Sequence, residues 1–136
     1  MLNLKSETAR SLRNALRANA VFSGLSGLLI VILHSQVLLW LGLVEINIMV
    51  LGVGLVLFSA YLFWMGSREQ LDKSMVTGVI GGDWLWVVAS AVLLVFKGEM
   101  FSTLGVFLVT DVALLVMVFA IWQQRGLKAA SQTARV

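Results

Sequence analysis

The chain has 136 residues, of which 60% are hydrophobic and only 12% charged, with a mean hydropathy of +0.95 and a formal net charge of +3. Soluble domains carry about 25% charged residues, so the composition argues against a water-soluble monomer, and the length allows one domain. With no cysteine and one histidine, disulfides, thiolate zinc sites, iron–sulfur clusters and multi-histidine metal sites within a chain are excluded, and no metal or other cofactor is expected.

The segment from Leu4 to Arg17 comes first. Ala9, Leu12, Leu16 and Ala20 share one side at helical spacing, and Arg10, Arg13 and Arg17 form a second stripe. This pattern predicts an amphipathic helix on the anionic inner leaflet, or a plain cytoplasmic extension of the helix that follows.

Crossing roughly 30 Å of hydrocarbon takes about 20 apolar residues in a helix. The first span runs from Ala18 to Leu33 and ends at the polar break His34-Ser35-Gln36. At about 24 Å it is short, and reaches full thickness only by starting near Leu16 or continuing past Ser35. Val37 to Leu43 reads as a short interfacial segment anchored by Trp40. The alternative is one long tilted helix from Ala15 to Leu43. With no small-residue cleavage site before the next span, the first run reads as retained rather than as a signal peptide.

The second span is Ile46 to Gly66, closed by Ser67-Arg68-Glu69-Gln70-Leu71-Asp72-Lys73. The third is Met75 to Phe96, closed by Lys97-Gly98-Glu99. The fourth is Phe101 to Trp122, with a polar tail from Gln123. Runs such as Leu25 to Leu33 and Val112 to Ile121 lack the period-two alternation of a membrane barrel. Continuous apolar runs satisfy their backbone groups as helices. The chain has no proline, so no helix is kinked by that route.

Lysine and arginine fix the orientation. Lys5, Arg10, Arg13 and Arg17 precede span one, Arg68 and Lys73 lie between spans two and three, and Arg125, Lys128 and Arg135 follow span four. Of the ten basic residues only Lys97 lies on the other side. By the positive-inside rule both termini are expected in the cytoplasm. Charges split over three segments beside lipid do not point to nucleic acid.

A weak internal duplication pairs Asn19 with Asp83, Phe22 with Trp86, Ser26 with Ser90 and Gly27 with Ala91. Leu51 to Val56 likewise resembles Leu104 to Val109, with a rival register in which Trp64 meets Trp122.

Two acids fall inside the spans. A charged aspartate at a helix centre costs about 2.5–3.5 kcal/mol on insertion scales. Asp83 lies about 12 Å and Asp111 about 16 Å from the inner surface, so the two lie at similar depth. Ser26 and Ser59, with Ser23, Tyr61 and Thr110 a turn or so away in depth, are candidate partners, and Arg17 is within snorkelling reach of Asp83. The functional reading is a proton or cation site. The plain reading is interhelical hydrogen bonding, typically about 0.6 kcal/mol per contact. Asn19, Ser23 and Gly27 continue a four-residue repeat from Ala15, and Ser74, Gly78 and Gly82 form another. These stripes predict close helix packing of spans one and three, within a chain or between chains. Trp84 and Trp86, deep beside Asp83, either line a ligand pocket or fill groove space. His34, Gln36, Glu45, Asn47, Lys97 and Glu99 form a polar rim on the far side.

The pattern Asn19-Ala20-x-Phe22-Ser23-x-x-Ser26-Gly27 with Asp83-x-x-Trp86-Val87-x-x-Ser90 resembles uncharacterised small four-span bacterial inner-membrane proteins. The resemblance implies four helices and a bacterial plasma membrane, and carries no reaction. In size the chain is also similar to small multidrug-resistance transporters, but those carry an essential glutamate in span one, where this chain has no acid. No phosphate loop, Ser-His-Asp arrangement or metal-ligand spacing is present.

The expectation is an all-α integral membrane four-helix bundle with an N-terminal amphipathic helix, and no enzyme. Besides the lipid bilayer, the expected partner is a second copy or another membrane protein. The expected function is association, as an accessory or scaffolding subunit. The alternative is an oligomeric proton- or cation-coupled transporter or channel using Asp83 and Asp111.

Overall fold

The structure is a computed structural model that describes residues 2–3, 7–44, 46–133 and 135. Leu4, Lys5 and Glu45, named above, lie outside the described residues.

Five α-helices make up most of the chain: α1 (Glu7–Ile32), α2 (His34–Leu41), α3 (Met49–Ser67), α4 (Lys73–Lys97) and α5 (Thr103–Thr133). A single 3-10 turn, Gly98–Met100, joins α4 to α5. All but α2 are long and apolar enough to cross a membrane.

The polar break after span one separates two helices. Leu33 leaves the helical region at φ −114°, ψ 32°, and α2 starts at His34, so the continuous helix to Leu43 does not form. Gly42 then ends α2 at φ 73°. Its N–H donates to Leu39 O and that of Leu43 to Leu38 O, the Schellman arrangement that only glycine adopts without a Cβ penalty.

Helix α1 runs against α3 and α5, and α4 runs against α5. Glycine permits the closest of these approaches. A Cβ on Gly27 would fall 2.7 Å from Gly52 O, and one on Gly126 would fall 2.9 Å from Leu12 Cα. The expected backbone packing of spans one and three is not seen within the chain: Gly27 meets α3, while Asn19 and Ser23 reach span three only through the side-chain hydrogen bonds that end on Asp83. Gly78 and Gly82 have no atom within 4 Å of where a Cβ would stand. The buried stripe of α4 is Val76, Val79, Ile80 and Asp83, and at 100° per residue both glycines fall off it.

Two further expectations change. Ala9, Leu12, Leu16 and Ala20 form the apolar side read from the sequence, but they pack against Leu62, Met65, Val76 and Ala130. What precedes span one is thus the first turns of α1, buried against the rest of the protein, and not a separate amphipathic helix. The polar tail from Gln123 is helical as far as Thr133. Its residues are mostly good helix formers, and Gln123, Gly126 and Ala130 form a buried stripe facing the start of α1.

One end of the molecule gathers the start of α1, the end of α5 and the α3–α4 connection. There Leu2–Asn3 pairs antiparallel with Gln70–Leu71, a two-residue clasp that the sequence reading did not anticipate. Asp72 caps α4 by accepting from Ser74 N at 2.8 Å. At the other end Ser102 joins α2 to α5. Its N–H donates to Leu41 O, its Oγ donates to Trp40 O, and the same Oγ accepts from Gly105 N.

Candidate functional site

The buried polar side chains converge between the helices. Asp83, on the inward stripe of α4, is 5% exposed. Its Oδ2 accepts from Asn19 Nδ2 of α1 at 2.8 Å and from Gln123 Nε2 of α5 at 3.1 Å. Ser23, one turn beyond Asn19, donates to Asn19 Oδ1 at 3.1 Å. Four residues on three helices thus form one network, with the carboxylate as final acceptor. Both hydrogen bonds on Asp83 fall on one oxygen, which leaves Oδ1 outside the network.

Above this network, toward α2, lies a cavity of about 470 Å³. Asn19, Ser23, Ser26, Asp83 and Ser90 bring its polar groups. Phe22, Leu29, Phe58, Trp86, Leu108 and Val112 are among its apolar walls, and Val37, Trp40 and Leu41 close the α2 end. No lysine or arginine is among the described residues that line it. Trp86 Nε1 and Gln123 Oε1 are buried with no hydrogen-bond partner.

The chain matches no protein-family model, no curated protein and no solved structure. Whatever is said of its function therefore rests on its own residues.

The candidates from the sequence divide sharply. Asp83, Asn19, Ser23, Ser26 and Gly82 all border the cavity. Ser59 is buried but donates to Ala20 O at 2.6 Å, tying α3 to α1 and not to Asp83. Tyr61 is exposed and stacks on Trp64 at 6.0 Å between ring centroids. Arg17 packs beside Gly66 of α3. Trp84 packs against the buried core of α1, α3 and α4 while Trp86 lines the cavity.

Asp111 does not join Asp83. It is exposed, on the face of α5 that also shows Leu104, Phe107, Leu114 and Val118. The inward face of the same helix carries Leu108, Val112 and Val116. The similar depth of the two acids was readable from residue counts, but depth says nothing about which way a side chain points.

Gln123 is the residue that sequence reasoning missed. It is fully buried, and the signal for it was available: Val116, Ala120, Gln123, Gly126 and Ala130 keep an i, i+3/i+4 spacing across the boundary at Trp122.

Proposed function

We propose that this is a small multi-pass protein of a bacterial inner membrane, with both termini in the cytoplasm, that works by association with another membrane protein. Eight described basic residues at the end of the molecule that gathers the start of α1 and the end of α5 support the orientation. The observation that carries the association is Asp111. It stands exposed in the middle of an apolar face of α5, eight residues from the helix start at Thr103, or about 12 Å along the axis. A lone carboxylate facing lipid at that depth costs about 2.5–3.5 kcal/mol, and a partner helix bearing a basic side chain offsets this cost. A second copy in the same orientation brings no such group, because every lysine and arginine of the described helices lies outside the apolar runs, Arg17 just before Ala18 and Arg125 just past Trp122. The occupant of this face is therefore a different membrane protein with a lysine or arginine within a span.

The test is a photo-crosslinking residue at Leu114, with crosslinking in native membranes. The expected adduct joins a span of a second protein that contains a lysine or arginine. It disappears in Asp111→Leu and returns when the acid and the base are exchanged between the partners. An adduct formed only with a second copy, or one unchanged in Asp111→Leu, overturns the proposal.

A second reading, transport coupled to protons or cations through Asp83, is favoured by the cavity beside that carboxylate. It predicts pH-dependent flux in proteoliposomes that Asp83→Asn abolishes at normal yield of folded protein.

A further inference from the structure

The cavity has a direction. Asp83, Asn19 and Ser23 lie at one end, Ser26 and Ser90 stand about 10 Å further along α1 and α4, and beyond them the walls toward α2 are apolar. Along α1 it extends from Asn19 to Ile30, about 16 Å of helix axis. A largely apolar space of this length, with one acid at its end, suits one alkyl chain with a head group better than a compact polar solute.

The head group follows from the electrostatics. Asp83 accepts two amide N–H groups on Oδ2, and neither neutralises its charge. No described basic residue lines the cavity to do so. Phe22 and Trp86 stand at the same end, and aromatic faces attract organic cations most strongly where water is excluded. An anionic head is disfavoured by the carboxylate.

There is also a way in. Helices α3 and α4 supply opposite walls of the cavity, yet neither packs along the other as α1 packs along α3 or α4 along α5. Gly82 borders the cavity on α4 with open space where a side chain would stand. An amphiphile already dissolved in the bilayer reaches the cavity through this seam without crossing water.

We propose that the cavity binds a single-chain alkylammonium amphiphile, with the ammonium group at Asp83 and the chain running along α1 toward Trp40. This deepens the second reading above by naming the ligand class, but binding does not require that transport follows.

The experiment uses the full chain in phosphatidylcholine nanodiscs and an alkylammonium probe with a bromine at the end of its chain. Bromine quenches tryptophan on contact, and Trp40 stands where the chain end would lie. The expected result is saturable quenching that is competed by the unbrominated amine and not by an alkyl sulfate of equal length, and that is largely lost in Trp40→Phe. Asp83→Asn weakens binding by at least about tenfold, as removal of one partner from a buried charge pair does. Gly82→Leu, which sets a bulky side chain at the cavity's border on α4 and leaves the carboxylate in place, removes the saturable component. Quenching without saturation, equal competition by the sulfate, or unchanged affinity in Asp83→Asn overturns the proposal. Should Asp83→Asn fail to fold, the wild-type competition and Gly82→Leu decide alone. Saturable binding without pH-dependent flux retains this site and removes the transport reading.

Discussion

Asn19 and Asp83 stand 64 residues apart and are joined by a 2.8 Å hydrogen bond, although the backbones of α1 and α4 do not run against each other. Where helices do not pack directly, a polar side chain carries more of the connection, because lipid offers no competing donor. Asn19→Ala is expected to destabilise the protein by about 1–2 kcal/mol, at the upper end for interhelical bonds. Gln123→Leu should act similarly. The double variant should depart from the sum of the two, since both donors share one carboxylate oxygen. Reversible unfolding in mixed detergent checks all three, and additive effects would separate Gln123 from the network.

Glycine substitutions distinguish the helix contacts from the open face. At Gly126 an added Cβ meets the backbone of Leu12, and at Gly27 it meets Gly52 O. Gly126→Ala and Gly27→Ala must push helices apart, at about 1–3 kcal/mol each. Gly78→Ala meets nothing within 4 Å, so it should be neutral or stabilise by about 0.4–1 kcal/mol through the unfolded chain. Thermal stability of the purified variants gives the order, and a destabilised Gly78→Ala would place that face against an unseen neighbour.

How far these features were legible in the sequence depends on the kind of information each needs. Span positions and the stripe Ala9, Leu12, Leu16 and Ala20 follow from run length and periodicity, which are local. What the stripe packs against is not local: buried protein and a membrane surface impose the same spacing. The two halves of the pattern around Asn19 and Asp83 do converge, with Phe22, Ser26, Trp86 and Ser90 on one cavity. Asp111 was paired with Asp83 because residue counting yields depth. Its direction depends on how α5 is rotated against α1 and α4, which apolar sequence on nearly every side of the helix leaves open. Gln123 was lost to the assumption that a helix ends where hydrophobicity does.

Ser102 gives a test at the opposite end of the molecule. Its hydroxyl donates to Trp40 O at 2.6 Å and accepts from Gly105 N at 2.9 Å, so it caps α5 and holds the end of α2. Ser102→Ala removes both bonds and should cost about 1 kcal/mol. The loss should concentrate in α2, which then keeps only the Ser102 N–H on Leu41 O and its apolar contacts through Val37, Leu38 and Leu41. Faster amide exchange in residues 34–41, with α3 and α4 unchanged, is the expected signature. Uniform loss across the helices would mean that α2 is held by its apolar side alone.

The absence of native cysteine makes the orientation directly measurable. Glu99 and Gln132 are both exposed, and they lie at opposite ends of α5 and its preceding turn. Helix α5 has 31 residues, about 46 Å of axis, against roughly 30 Å of hydrocarbon. Its last turns therefore extend beyond the bilayer, and a residue ten positions past Trp122 stands about 15 Å further along the axis. With both termini cytoplasmic, Glu99→Cys reacts with a membrane-impermeant maleimide in intact cells, while Gln132→Cys reacts only after the membrane is opened. The reverse pattern would put nine basic residues on the outer side and overturn the proposed orientation.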